Sequence, residues 1–100
     1  MKAVFDLSFH YERTQPLSDI IGRKEAMLTL TSEREVSIHV SIMTSRGLSY
    51  FETIRLNKTP YLIPYNYPAG RDWSVLQIQA VEPLKPFEEP YTVLLTIETF

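Results

Sequence analysis

Two histidines and one carboxylate are the side chains whose types and positions suggest metal binding or acid–base catalysis. His10 and His39 fall on the polar sides of predicted strands, and Glu52 falls in a row of apolar residues. Two imidazoles could bind zinc or copper, but such sites need three or four ligands, and no spacing supplies the others. A carboxylate buried at Glu52 could act as a general acid or base, whereas a solvated sheet edge explains it more simply.

Other catalytic signatures are missing from the sequence. The chain has no cysteine, which excludes thiol catalysis, cysteine-bound zinc, iron–sulfur clusters and disulfides. Its three glycines are far apart, so no glycine-rich phosphate loop exists, and the serines lack a nucleophile-elbow motif. We therefore predict no catalytic residues, no metal and no cofactor.

Aromatic residues are concentrated in residues 59–73, TPYLIPYNYPAGRDW, which hold three of the six tyrosines and the only tryptophan. Tyr61, Ile63 and Trp73 are expected mainly to close one end of a core. The segment between them, stiffened by prolines, could instead offer rings to a sugar or a protein partner. The predicted ligand-binding or partner-binding residues are Tyr65, Asn66, Tyr67, Arg71 and Trp73.

The charge of the chain argues against a nucleic-acid partner. The net charge is −2 and the basic residues are scattered, whereas phosphate binding needs clustered lysines and arginines. Asp6 and His10 interrupt the N-terminal region too early for the apolar core of a signal peptide. No apolar run has the length of a membrane span, so we predict no membrane contact and, by default, a cytoplasmic protein.

Apolar and polar residues alternate with a period of two over most of the chain, which is typical of strands with one buried side. The alternation is clearest in residues 35–43 and recurs in residues 3–12, 73–81 and 91–100, while residues 26–30 are a further candidate. The residues that share one side of each predicted strand are Phe5, Leu7, Phe9, Tyr11; Ala26, Leu28, Leu30; Val36, Ile38, Val40, Ile42; Ser74, Leu76, Ile78, Ala80; and Tyr91, Val93, Leu95, Ile97.

Turn residues separate these strands. A hairpin loop at Ser45, Arg46 and Gly47 favours glycine in the left-handed region. Its register pairs Ile42 with Tyr50 and Val40 with Glu52. Residues 82–90 are too rich in proline for a sheet interior, and Ser18 could begin a single helical turn over residues 19–21.

About seven short strands in ~100 residues predict one domain, residues 1–100, with an all-β antiparallel β-sandwich fold of the immunoglobulin-like type. The alternative is a small Greek-key barrel.

If residues 36–43 form a sheet margin, they could pair with a strand of a partner. Val75 and Val81, on the otherwise polar side of their strand, suggest that something covers that side.

These features predict a non-enzymatic protein-interaction or structural module that self-associates or belongs to a larger assembly. A protein partner or a second copy is therefore the expected binding partner. The first alternative is a carbohydrate-binding module that uses the tyrosines and Trp73, with a glycan as partner. The second is a small hydrolase or metal-site protein built around His10, His39 and Glu52.

Overall fold

Eight strands and one short helical turn make up the regular structure of the described residues, which in the computed structural model are 1–21, 25–63 and 73–100. All strand pairings among them are antiparallel. The elements are β1 (Lys2–Phe9), β2 (Glu12–Pro16), α1 (Ser18–Ile21), β3 (Ala26–Thr31), β4 (Val36–Thr44), β5 (Gly47–Leu56), β6 (Tyr61–Ile63), β7 (Ser74–Ala80) and β8 (Tyr91–Thr99).

The strand order is that of one long antiparallel hairpin rolled onto itself. Strand β1 pairs with β8, β2 with β7, β3 with β6, and β4 with β5. Strand β8 also pairs with β3, and β7 also pairs with β4, so two four-stranded sheets result. Sheet A has the order β1-β8-β3-β6 and sheet B the order β2-β7-β4-β5. This arrangement of eight strands in two sheets is a jelly roll.

The predicted all-β antiparallel sandwich is confirmed, but its immunoglobulin-like topology is not. In constant-type immunoglobulin domains the first and last strands lie in different sheets. Here β1 and β8 are hydrogen-bonded neighbours in sheet A. The described strands also form two separate sheets, so the closed Greek-key barrel is not the fold either. Alternation indicates which residues form strands, but it does not indicate which strands pair.

Two strands were missing from the sequence prediction because neither carries an alternating apolar pattern. Strand β2 has the sequence ERTQP at the edge of sheet B, and it buries none of its side chains fully. Strand β6 has three residues and lies at the edge of sheet A. Both complete their sheets by backbone hydrogen bonds rather than by contributing a broad apolar face.

The core lies between the sheets and is formed by the predicted inward sides of the strands. Leu7, Leu28, Ile38, Leu76 and Leu95 are among its fully buried members. One member was predicted wrongly, because β1 ends at Phe9 and Tyr11 lies after a bend with its ring exposed. The other predicted faces of β3, β4, β7 and β8 point into the core as expected.

The β4–β5 hairpin has the predicted register. Ile42 lies opposite Tyr50, Val40 opposite Glu52, and Gly47 has the expected positive φ of 107°. The loop is tighter than predicted, because Thr44 already pairs with Gly47 and a register shift follows between Ile42 and Met43. Strand β4 pairs on both sides, so it is an interior strand and cannot accept a partner's strand.

The helical turn predicted after Ser18 is also present. The turn α1 has 4 residues, and the Ile21 N–H donates to the carbonyl of Leu17 at 2.9 Å. Leu17 and Ile21 are both fully buried, so the turn closes part of the core.

Candidate functional site

Most of the predicted binding residues lie outside the described part of the chain. These are Tyr65, Asn66, Tyr67 and Arg71. Trp73, the remaining one, stands directly before β7 with 51% of its surface exposed. The expectation that Trp73 closes the end of the core is therefore wrong.

The neighbouring aromatic and aliphatic residues behave differently from Trp73. Ile63 is fully buried in the core, as predicted. Tyr61 is half-buried, and its hydroxyl shares a hydrogen bond of 2.7 Å with the hydroxyl of Tyr50. Because Tyr61 lies on the edge of sheet A and Tyr50 on the edge of sheet B, this bond joins the two sheets along one open side of the sandwich. Burial and the Tyr61 hydroxyl raise the pKa of Tyr50 well above its ordinary value.

The histidines and Glu52 do not form a shared site. His10 Nε2 donates to the carbonyl of Glu88 at 2.8 Å, and His39 Nδ1 shares a hydrogen bond of 2.7 Å with Thr53 Oγ1. Glu52 is exposed on the edge strand β5, opposite Val40. Within the described ranges, no three histidine or acidic side chains are grouped as metal ligands would be.

The outer face of sheet A carries apolar and threonine side chains. Its middle row crosses all four strands and consists of Val4, Thr96, Thr29 and Leu62. Val4 and Leu62, at the two ends of this row, are 52% and 55% exposed. Sequence analysis missed this face because register, not alternation, brings these residues together. The sequence does contain one signal of this face, because Val4 and Leu94 are apolar residues on the otherwise polar sides of β1 and β8.

Two flanking rows carry the charged residues of this face, with Lys2 beside Glu98 in one row and Asp6 in the other. On one side lie Lys2, Glu98 and Met27, and on the other lie Asp6, Leu94 and Thr31. Met27 and Leu94 are exposed, which adds two apolar side chains to the face. We use the term "outer face of sheet A" for these three rows.

A shallow cavity of about 300 Å³ adjoins the Asp6 row. It is lined by Asp6, Thr31, Glu33, Thr92 and Leu94. Glu33 forms an exposed ion pair of 3.5 Å with Lys58, whereas Asp6 and Lys2 form none among the described residues. The face therefore has an acidic recess on one side, and on the other an exposed lysine beside the half-buried Glu98.

The outer face of sheet B has a different chemistry. One of its rows is Glu12, Gln79, His39 and Thr53, and the next is Thr14, Gln77, Ser41 and Phe51. These two rows define what we call the polar strip.

Side-chain hydrogen bonds and ring stacking order the polar strip. Gln77 Nε2 donates to Glu12 Oε2 at 3.0 Å, and Gln79 Nε2 donates to the hydroxyl of Tyr11 at 2.7 Å. The rings of His39 and Phe51 are nearly parallel, with centroids 6.0 Å apart. Phe51 remains 57% exposed. The arrangement presents amides, hydroxyls and an aromatic surface at fixed positions.

A rigid loop between β7 and β8, residues 81–90, exposes one further aromatic ring. Phe87 at its tip is 82% exposed. The loop is held by the backbone N–H of Leu84, which donates to the carbonyl of His10 at 2.9 Å, and by the His10 ring on Glu88. Leu84 also packs against the core. His10 therefore has a structural role that its sequence position did not reveal.

A second, smaller cavity lies beside an exposed ion pair. It measures about 90 Å³ and is lined by Glu35, Ser37, Arg55, Glu82 and other residues. Arg55 Nε donates to Glu35 Oε1 at 2.7 Å, and this hydrogen bond and charge hold the pKa of Glu35 below its ordinary value. Because both carboxylate and guanidinium are exposed, the pair is a surface ion pair rather than a catalytic arrangement.

The strand order and these two sheet faces define the class of fold: a small antiparallel β-sandwich with jelly-roll strand order. No family model matches the sequence, and no curated protein is similar to it. Among the described residues, no helix has the length and apolar character needed to cross a membrane.

Proposed function

We propose that the chain is a non-enzymatic protein-interaction module that binds its partner through the outer face of sheet A. The observation that carries this proposal is the set of four exposed apolar side chains on one sheet face: Val4, Met27, Leu62 and Leu94. Exposed apolar residues grouped in this way mark contact sites on soluble domains, whereas single ones do not.

The threonines of the face favour the same function. Thr96 and Thr29 lie between Val4 and Leu62 in the middle row, and both are half-buried by their neighbours. Their methyl groups continue the apolar surface, and their hydroxyls can form hydrogen bonds across an interface. A sheet with this surface can pack on another sheet at the usual separation of about 10 Å.

The proposal is tested by comparing which protein is captured by the wild-type chain and by two variants. The wild-type chain and the variants Leu62→Lys and Phe51→Lys would each be used as bait under identical conditions. Leu62 and Phe51 are similarly exposed on edge strands, but they lie on opposite sheets. We expect Leu62→Lys to lose the bound protein and Phe51→Lys to keep it. Equal retention by all three baits would contradict the proposal.

The polar strip supports a second candidate function, the binding of a neutral glycan. Phe51 and His39 offer ring surfaces on which a sugar can stack, while Gln77 and Gln79 offer amide groups for its hydroxyls. The two rows contain one carboxylate and neither lysine nor arginine, which suits an uncharged ligand. Trp73 is the exposed aromatic residue nearest in sequence to β7.

Titration with defined neutral oligosaccharides tests this second function. Cellohexaose, xylohexaose, laminarihexaose and chitohexaose would be added while the fluorescence of the single tryptophan and the amide NMR shifts of β4, β5 and β7 are followed. We expect shifts in the polar strip that Phe51→Ala weakens about fivefold to tenfold, the effect of one lost aromatic contact. Absence of any change with all four sugars would exclude this candidate.

A further inference from the structure

We infer that the partner on the outer face of sheet A is a second copy of this chain, related by a two-fold axis along the row Val4–Thr96–Thr29–Leu62. The inference rests on the proposed interaction function and adds the identity and orientation of the partner. It follows from the way in which the charges and the cavity are arranged around that row.

The rotation brings complementary charges together. Lys2 and Asp6 lie on the same strand, β1, two residues before and two residues after Val4. A half-turn about the middle row keeps β1 opposite β1 and exchanges the two flanking rows. Lys2 of each copy then lies opposite Asp6 of the other, and the contact is made twice, as a two-fold interface requires. Neither side chain has an ion-pair partner within the described chain.

The same rotation fills the cavity. The row that contains Met27 is placed over the row that contains Thr31 and Leu94, which line the cavity of the other copy. Met27 is exposed and flexible, so it can enter a recess whose floor includes Leu94. Lys2 approaches the acidic rim that Asp6 and Glu33 form. Each copy therefore supplies a side chain and a recess that match those of its neighbour.

The size of the face sets the expected strength. Four strands spaced about 4.8 Å apart and rows spaced about 7 Å apart give an area of roughly 400 Å² per copy. A total of roughly 800 Å² lies below the range of stable interfaces and within that of weak, transient ones, so we expect a reversible dimer with a Kd of roughly 10–100 μM.

Charge exchange tests the orientation. Sedimentation equilibrium would be measured for the wild-type chain, for Lys2→Glu, for Asp6→Lys and for the double variant. Each single change puts like charges opposite each other twice, and we expect at least ~10-fold weaker association. The double variant restores opposite charges and should return the Kd to within about threefold of the wild-type value. Glu12→Lys on the other sheet is the matched control and should leave the Kd unchanged.

Two results would overturn the inference. One is a wild-type chain that stays monomeric up to about 1 mM. The other is a double variant that associates as weakly as the single variants. Circular dichroism checks that every variant is folded, which we expect because both residues are exposed. If the wild-type chain were monomeric but still captured a protein that Leu62→Lys fails to capture, the proposed interaction function would stand. The second copy would then be excluded as the partner.

Discussion

The two outer sheet faces of this sandwich differ in how their polar groups are used. Next to the outer face of sheet A, in the row beyond Asp6, Ser8 and Thr92 share a side-chain hydrogen bond of 3.3 Å. On the polar strip of sheet B, glutamine amides are bonded to a carboxylate and a phenol, and an imidazole is bonded to a hydroxyl. One face combines four exposed apolar side chains with threonines and flanking charges, and the other is a connected polar surface.

This difference indicates what each face can bind. Covering a surface with a protein removes water from every polar group on it, and polar groups without new partners cost about 1–3 kcal/mol each. On the outer face of sheet A the charged groups lie in the flanking rows, where a partner of complementary charge can pair with them, so another sheet can cover the face. The polar strip holds its amides in place, so it can meet the hydroxyls of a ligand at little further cost in side-chain entropy.

The largest predicted effect is a loss of folding stability, which would abolish both outer faces at once. Val40 is fully buried on the inner side of β4, between the two strands to which β4 is paired. Val40→Asp would bury a charge without a partner, and we expect a loss of about 3–5 kcal/mol in the free energy of unfolding. Chemical denaturation followed by circular dichroism measures this loss.

A surface change provides the control for Val40→Asp. Thr14 is exposed on the outer side of the edge strand β2, so Thr14→Asp introduces the same charge where water can solvate it. We expect a change within about 0.5 kcal/mol. If Val40→Asp were as stable as Thr14→Asp, the inner side of β4 would not be the core.

The second prediction tests the two faces separately, by introducing one arginine into each. Thr29→Arg puts a cation in the middle row of sheet A, and Gln77→Arg puts one in the polar strip. We expect Thr29→Arg to weaken self-association at least ~10-fold, because two copies of the cation meet near the two-fold axis. Gln77→Arg should leave association unchanged and reduce sugar-induced shifts. Sedimentation measures self-association, and NMR titration measures the sugar-induced shifts. If each variant reduced both quantities equally, the two faces would not be separate binding sites.

The sequence predicts the core better than it predicts these faces. Period-two alternation identifies the inward sides of β3, β4, β7 and β8, because burial depends on each strand alone. The outer rows depend on which strands are neighbours. The pairing of β1 with β8 joins residues about ninety positions apart, and no local signal encodes it. For the same reason the sequence indicated a sandwich and not its jelly-roll order.

Local context explains the errors at single residues. Glu52 interrupts an apolar row because β5 is an edge strand, where an inward-pointing charge remains hydrated and discourages edge-to-edge pairing. Trp73 has the composition of a core residue, but its position before β7 turns it outward, while Ser74 beside it is buried. Neighbouring residues of a strand point to opposite sides, and composition alone does not indicate which of the two points inward.

The smallest predicted effect concerns the hydrogen bond that joins the edges of the two sheets. Tyr61→Phe removes the hydroxyl that Tyr50 contacts at 2.7 Å between the edges of sheets A and B. One hydrogen bond contributes about 0.5–1.5 kcal/mol, and we expect the lower part of this range because both rings are partly hydrated. Thermal unfolding at neutral pH measures the change, with Tyr11→Phe as the control for an exposed tyrosine.

The same pair predicts how stability depends on alkaline pH. Burial raises the pKa of Tyr50 in the folded chain above its ordinary value of 10.0, with the Tyr61 hydroxyl as the next cause. The unfolded chain therefore releases this proton first, and the stabilisation, complete below about pH 10, is lost as pH rises toward the folded pKa. Tyr50→Phe should remove this part of the alkaline loss, and Tyr61→Phe should reduce it. If both variants lost stability between neutral pH and pH 11 as steeply as the wild-type chain, the hydroxyl pair would not link the sheets in solution.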